Sequence, residues 1–195
     1  MTTLIQHSSS LTVALGERDA YTEAHCDRVE TLSLQLGRRC GLNANELEIL
    51  RVASKLHDIG KIGIPDHILL KPGRLESDEI EIIQTHSELG QNICDKIPHK
   101  DALKIGLIVR HHHEAFDGSG YPDGLAGEKI PICSRIISIV DSYDAMLTTR
   151  PYHNARSHEQ VMEIMKSECG KKIDPLLFAY FEQIIASITV IYCEV

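Results

Sequence analysis

Seven residues of this 195-residue chain stand out as candidate ligands for transition metals: His25, His57, Asp58, His86, His112, His113 and Asp141. His25 shares a stripe with Val29, Leu32 and Leu36 at steps of 4, 3 and 4, the repeat of one helix face. His86 sits the same way among Ile82, Leu89 and Ile93, His112 follows Ile105 and Ile108, and Asp141 follows Ile137 and Val140. An imidazole on an apolar face needs partners for its ring nitrogens, and an unpaired carboxylate there is costlier still. Any single one of these is most simply a hydrogen-bonded core group. Four on four helices, with His57 and Asp58 at the end of a fifth, are a set that packed helices can aim at one point. Imidazole and carboxylate without thiolate suit iron, manganese, zinc or nickel better than calcium or magnesium. Seven donors exceed one tetrahedral ion and match two ions that share a carboxylate, for which Asp58 beside His57 is best placed. Such a pair activates a water and clamps a phosphoryl centre. The residues alone therefore point to a dinuclear metallo-phosphohydrolase.

The elements that must position these residues read as helices. The stripe over residues 25–36 predicts one helix, bracketed at its end by Gly37 and Gly41. Leu47, Leu50, Ala53 and Leu56 mark a second, which Gly60 stops. Residues 62–75 hold two prolines and two glycines and predict a loop with at most a short helical turn. Ser77, followed by Asp78 and Glu79, reads as an N-cap with an acidic first turn. Residues 117–131, DGSGYPDGLAGEKIP, hold four glycines and two prolines and exclude regular structure. Asp174 before Pro175 reads as another N-cap, and the β-branched tail from Gln183 fits either a helix or a strand. The fold class is all-α, with one long loop in the middle that has the length of a functional segment.

Composition narrows the partners. Lys and Arg number 20 and Asp and Glu 28, for a net charge of −8. That balance excludes a sequence-independent grip on DNA or on an anionic membrane, yet leaves room for a phosphorylated ligand in a locally basic pocket. There is no apolar run of about 20 residues and no signal-peptide pattern at the start, so a cytoplasmic location is expected. The six cysteines (26, 40, 94, 133, 169 and 193) include no CxxC pair, against a disulfide scaffold or an all-cysteine zinc site.

Two motifs, HDIGKIGIPD (57–66) and HHEAFDGSGYPDG (112–124), resemble those of the HD-GYP family of HD metal-dependent phosphohydrolases. YTEAHCDRV (21–29), ILLKPGRL (68–75), IVDSYDAM (139–146) and TTRPY (148–152) fit as well, so the resemblance runs from about residue 17 to 180. It implies an HD helical core with extra C-terminal helices and a long GYP loop, forming a domain over 17–195 behind an N-terminal segment or linker helix at 1–16. It implies hydrolysis of the bacterial second messenger cyclic di-GMP to pGpG and onward to GMP. The family's metal positions fall on the same seven residues, with iron or manganese foremost. Asp58 and Lys61 would be catalytic, Lys61 reaching a scissile phosphate or leaving oxygen. Gly120, Tyr121 and Arg150 would bind substrate, the glycine by close backbone approach and the arginine by pairing a phosphate.

Two positions depart from the family pattern. Tyr21 stands where some members carry a glutamate for a third metal, so two metals are expected, and His153 stands where a Lys or Arg is common. Beyond the seven, Asp144 reads as an orienter of the ligands, His111 as a supporting or surface residue, and Asp117 and Asp123 as shapers of the loop. Leu4, Leu11, Val13 and Leu15 predict a short amphipathic helix packed on the domain or on a second copy. A diguanylate cyclase or another regulatory protein acting in trans, and an oligomer, fit the resemblance as partners. The competing readings are an HD-type phosphohydrolase for another nucleotide and a weakly active interaction or sensor module.

Overall fold

The computed structural model of the protein describes residues 4–16, 22–148 and 156–193, with side chains placed for 10–16, 24–148 and 156–187. The described residues form helices α1 (Leu4–Gly16), α2 (Thr22–Arg39), α3 (Ala44–Leu56), α4 (Asp66–Leu69), α5 (Ser77–Gln84), α6 (His86–Cys94), α7 (Ala102–Arg110), α8 (Ile132–Leu147), α9 (His158–Ser167) and α10 (Pro175–Cys193), with 3-10 turns at Ile59–Gly63 and Gly127–Lys129. The all-α class is thus observed, and the ambiguous tail is helix as far as Cys193. One core runs through the molecule. Val29 and Leu36 of α2, Leu50 and Leu56 of α3, Ile105 and Val109 of α7, and Ile136, Ile137 and Val140 of α8 are all buried in it, with Phe181 of α10. In α1, Leu15 is fully buried in the same core while Val13 faces solvent.

Local chemistry sets the boundaries. Asn43 opens α3 with a capping box, its side chain accepting from the amides of Asn45 and Glu46. Asp174 caps α10, its Oδ1 accepting from the amides of Leu176 at 2.9 Å and Leu177 at 3.2 Å. Three expectations need correction. Gly37 lies inside α2, which continues to Arg39. The N-cap of α5 is Glu76 rather than Ser77, because the Glu76 and Glu79 carboxylates form the capping box. The stripe from Ile82 to Ile93 is split at Thr85 between α5 and α6, so Ile82 is 40% exposed while His86 turns inward.

Candidate metal centre

Each predicted donor is delivered by its own element. α2 supplies His25, the end of α3 His57, the turn that follows Asp58, the first turn of α6 His86, the residues just past α7 His112 and His113, and the middle of α8 Asp141. His57 is the C-cap of α3 in helical geometry, and Asp58 (φ −96°, ψ 3°) turns the chain into the 3-10 segment. That segment lies directly on α6: a Cβ at Gly60 would fall 1.8 Å from the His86 carbonyl oxygen. Only glycine permits the approach that sets Asp58 beside His86.

The seven donors converge. His25, His57 and Asp141 offer ligand atoms within 4.8 Å of one another, and so do Asp58, His86, His112 and His113. Asp58 joins the two groups: its Oδ2 lies 3.4 Å from His57 Nε2 and its Oδ1 lies 3.5 Å from His86 Nε2. His25 Nε2 approaches Asp141 Oδ1 at 3.2 Å and His57 Nε2 at 3.4 Å. The Lys61 ammonium donates to Asp58 Oδ2 at 2.6 Å.

Three of the rings are aimed by one local device. His57 Nδ1 donates to the Ser54 carbonyl at 2.7 Å, His86 Nδ1 to Ile83 at 2.7 Å, and His112 Nδ1 to Val109 at 2.6 Å. A carbonyl only accepts, so each Nδ1 carries a proton and each ring turns its Nε2 inward. His86 Nε2 and His112 Nε2 are buried there with no hydrogen-bond partner. Orphaned buried acceptors beside the Asp58 carboxylate are what a cation would satisfy. His25 differs: its Nδ1 meets Asp144 Oδ2 at 2.7 Å.

The electrostatics agree with that donor set at His112, His113 and Asp58, while His25 keeps its proton in the metal-free chain. Burial, with neighbouring imidazoles, holds His112 well below the usual histidine range and pushes His113 down to about 3, so both rings are neutral acceptors at neutral pH. Burial acts against charge on Asp58 too, but Lys61 and His57 overcome it and keep the carboxyl ionised. At His25, burial is likewise outweighed, by the hydrogen bonds to Asp141 and Asp144, and its pKa rises to about 9.

The GYP loop closes one side. Tyr121 lies over His113 with ring centroids 4.9 Å apart, and burial raises its hydroxyl pKa above the ordinary tyrosine value. Gly120 is pressed against the chain: a Cβ there would meet the Ala115 nitrogen at 2.2 Å. Asp117 makes an Asx turn, accepting from the Ser119 amide at 2.9 Å. Asp123 shapes the loop differently, accepting from Arg110 at 2.7 Å and from His111 at 2.8 Å. Glu114, which sequence reasoning passed over, accepts from the amides of Asp123 and Leu125 at 2.8 and 3.0 Å. Arg28 was missed as well: it donates to both Asp144 oxygens, at 2.6 and 2.9 Å. Its only sequence signal is a spacing, three residues after His25, like that of Asp144 after Asp141. Tyr21, Arg150 and His153 lie outside the described residues. Cys26, next to His25, is buried and belongs to neither donor group.

With this geometry in view, the HD domain family matches residues 3–177. The chain belongs to the HD domain family. Its two motifs place it in the HD-GYP branch, and the cyclic di-GMP phosphodiesterase response regulator RpfG of Xanthomonas campestris is 38% identical over 167 residues, 86% of this chain and 44% of that protein. A cyclic di-GMP phosphodiesterase of Thermotoga maritima is 40% identical over 176 residues, 90% of this chain and 48% of its own length. A 3'3'-cGAMP-specific phosphodiesterase of Vibrio cholerae is 37% identical over 181 residues, 91% of this chain and 35% of its own length. The chain thus spans less than half the length of these relatives. Among solved structures, the HD domain of the Listeria monocytogenes phosphodiesterase PgpH superposes with a TM-score of 0.65 at 20% identity, covering 93% of this chain and 98% of that one. A Vibrio cholerae cyclic GMP-AMP phosphodiesterase gives 0.70 at 21% identity, covering 91% and 47%. These two likenesses concern the fold. Among the described residues, no helix is long and apolar enough to cross a membrane.

Proposed function

We propose that this HD-GYP chain hydrolyses a phosphodiester bond of cyclic di-GMP at a dinuclear metal centre, giving linear pGpG and then GMP. The observation that carries the reading is the buried nest in which His86 and His112 nitrogens without a hydrogen-bond partner lie beside the ionised Asp58 carboxylate. His25, His57 and Asp141 would hold one ion, and His86, His112 and His113 the other, with Asp58 between them. Iron or manganese suits these donors. When bound, two such ions supply Lewis-acid activation of a water and neutralise charge at the phosphorus.

The chain's own groups do the rest. Lys61 Nζ, 2.6 Å from Asp58 Oδ2, keeps a protonated ammonium at the edge of the nest. From there it stabilises the developing phosphate charge and holds a proton for the leaving oxygen. Tyr121 supplies an aromatic face beside His113 for a nucleotide, Gly120 brings backbone close to it, and Arg150 pairs a phosphate. The division into a helix at 1–16 and a catalytic domain over 17–195 belongs to the same reading. A regulatory partner in trans would act on the GYP loop.

A second substrate has support from the relatives: one that is 37% identical is named a 3'3'-cGAMP-specific phosphodiesterase. Metal analysis of anaerobically purified chain, with chromatographic assays of cyclic di-GMP and 3'3'-cGAMP, separates the readings. About two metals per chain and a linear product from cyclic di-GMP are expected, and Asp58→Ala should lose both. Two metals with turnover of cGAMP alone moves the substrate. No metal bound overturns the centre itself.

A further inference from the structure

The two halves of the nest are backed differently. On one side, His86 and His112 each donate Nδ1–H to a neutral carbonyl within their own turn. On the other, His25 Nδ1 lies 2.7 Å from an oxygen of Asp144, 119 residues away on α8. Asp144 is 4% exposed, and Arg28 engages both of its oxygens, Nε to Oδ1 at 2.6 Å and Nη2 to Oδ2 at 2.9 Å. His25 and Arg28 are one turn apart on α2, and Asp141 and Asp144 one turn apart on α8. The four make a square across the helix interface, with His25 touching both carboxylates. Among the described residues, no carboxylate stands behind the Nδ1 of His86 or His112.

We infer that Arg28 is a positioning residue for one half of the centre: through Asp144 it fixes His25 and makes the His25–His57–Asp141 position the tighter of two metal positions. This rests on the proposed metal centre. The physical basis is twofold. A carboxylate behind an imidazole makes the ring a stronger donor than a carbonyl does and fixes its orientation. That half also owns a ligand carboxylate, Asp141, whereas the other half contributes three neutral imidazoles and shares only Asp58. Arg28 fixes Asp144 through a two-pronged fork that lysine cannot reproduce. The guanidinium also balances the buried Asp144 charge, which otherwise would stand against Asp141 on the same helix face.

The test is a calorimetric titration of Mn²⁺ into metal-free full chain. Wild type should show two steps. Arg28→Ala should weaken the tighter step by about 10-fold or more and leave the other within about 2-fold. In a His113→Ala background, where the step from the other half is disabled, Arg28→Ala should weaken the step that remains. Arg28→Lys, which keeps charge without the fork, should recover part of the loss. Should Arg28→Ala fail to fold, Asp144→Asn keeps an oxygen toward His25, removes the charge, and carries the same expectation. Equal weakening of both steps, no weakening, or full recovery with lysine overturns the inference. A wild-type chain that takes up no Mn²⁺, Fe²⁺ or Zn²⁺ overturns the metal centre instead, which is a separate and visible failure.

Discussion

Two segments lead into the donors on the His86 side, and they are held in opposite ways. The segment from 111 to 127 has almost no regular structure, yet nearly every turn of it is tied. Arg110 and His111 grip Asp123, and Glu114 takes two loop amides. The amides of Phe116 and Asp117 reach the carbonyls of Lys172 and Lys171 at 3.1 and 2.7 Å. α5, by contrast, is regular helix without a single buried residue, and Ile80 and Ile82 stand 42% and 40% exposed. It is fastened at its start by the Lys71–Glu79 pair and at its end by the His86 bond to Ile83. Regularity and rigidity are therefore not the same property. The loop is preorganised by polar bonds to its neighbours. The helix, with little buried apolar surface to hold it down, is the element expected to open locally.

That contrast breaks first at Gly120. Gly120→Ala drives a Cβ into rigid backbone at Ala115 and His113, so unfolding in urea should show a loss of about 1–3 kcal/mol. Turnover should fall with it. Unchanged stability would mean that the loop yields, and that its bonds are not what fix it. Arg110→Ala releases Asp123 without touching a donor. It should raise KM about tenfold, the weight of a charge-assisted bond, with metal content unchanged. A loss of metal would show that the loop holds the nest itself.

Acid sharpens the comparison. His113 takes a proton only near pH 3 when folded but near 6.5 when unfolded, so the stability of the metal-free chain should be lost as pH falls from 6.5 toward 3. His25 has the opposite sign. Its contribution is complete below 6.5 and lost as pH rises through about 9. Thermal melts of metal-free chain should therefore peak between those limits, and a stability that keeps rising above pH 9 would reverse the assignment at His25. The smallest effect belongs to α5. Ile80→Ser should change stability by less than about 0.5 kcal/mol, and a drop beyond 1 kcal/mol would show that this face is covered in solution.

Most of the helix inventory is legible in the sequence, because stripes such as Val29–Leu36 and Leu50–Leu56 report burial directly. His25, His86, His112 and Asp141 are legible for the same reason, because a polar side chain on an apolar stripe is conspicuous, while His57, Asp58 and His113 stand out by the motifs that hold them. The break at Thr85 is not, since Ile82, His86 and Leu89 keep the period of one helix although they fall in two. Ser77 misleads because a carboxylate one residue earlier finds the same amides. Arg28 and Glu114 escape notice because their partners, Asp144 and the loop amides, become neighbours only when α2 meets α8 and the loop folds back on α7.

The carbonyl behind each of three imidazoles carries one more consequence. Its acceptor lies three residues upstream in every case, at Ser54, Ile83 and Val109. The tautomer is thus chosen by the turn that bears the ring, and a peptide oxygen does not titrate in the range where proteins fold. Each ligand arrives with its own compass. Core residues elsewhere can be exchanged without rotating a ring, whereas one residue inserted between 83 and 86, or between 109 and 112, would turn the donor away from its target.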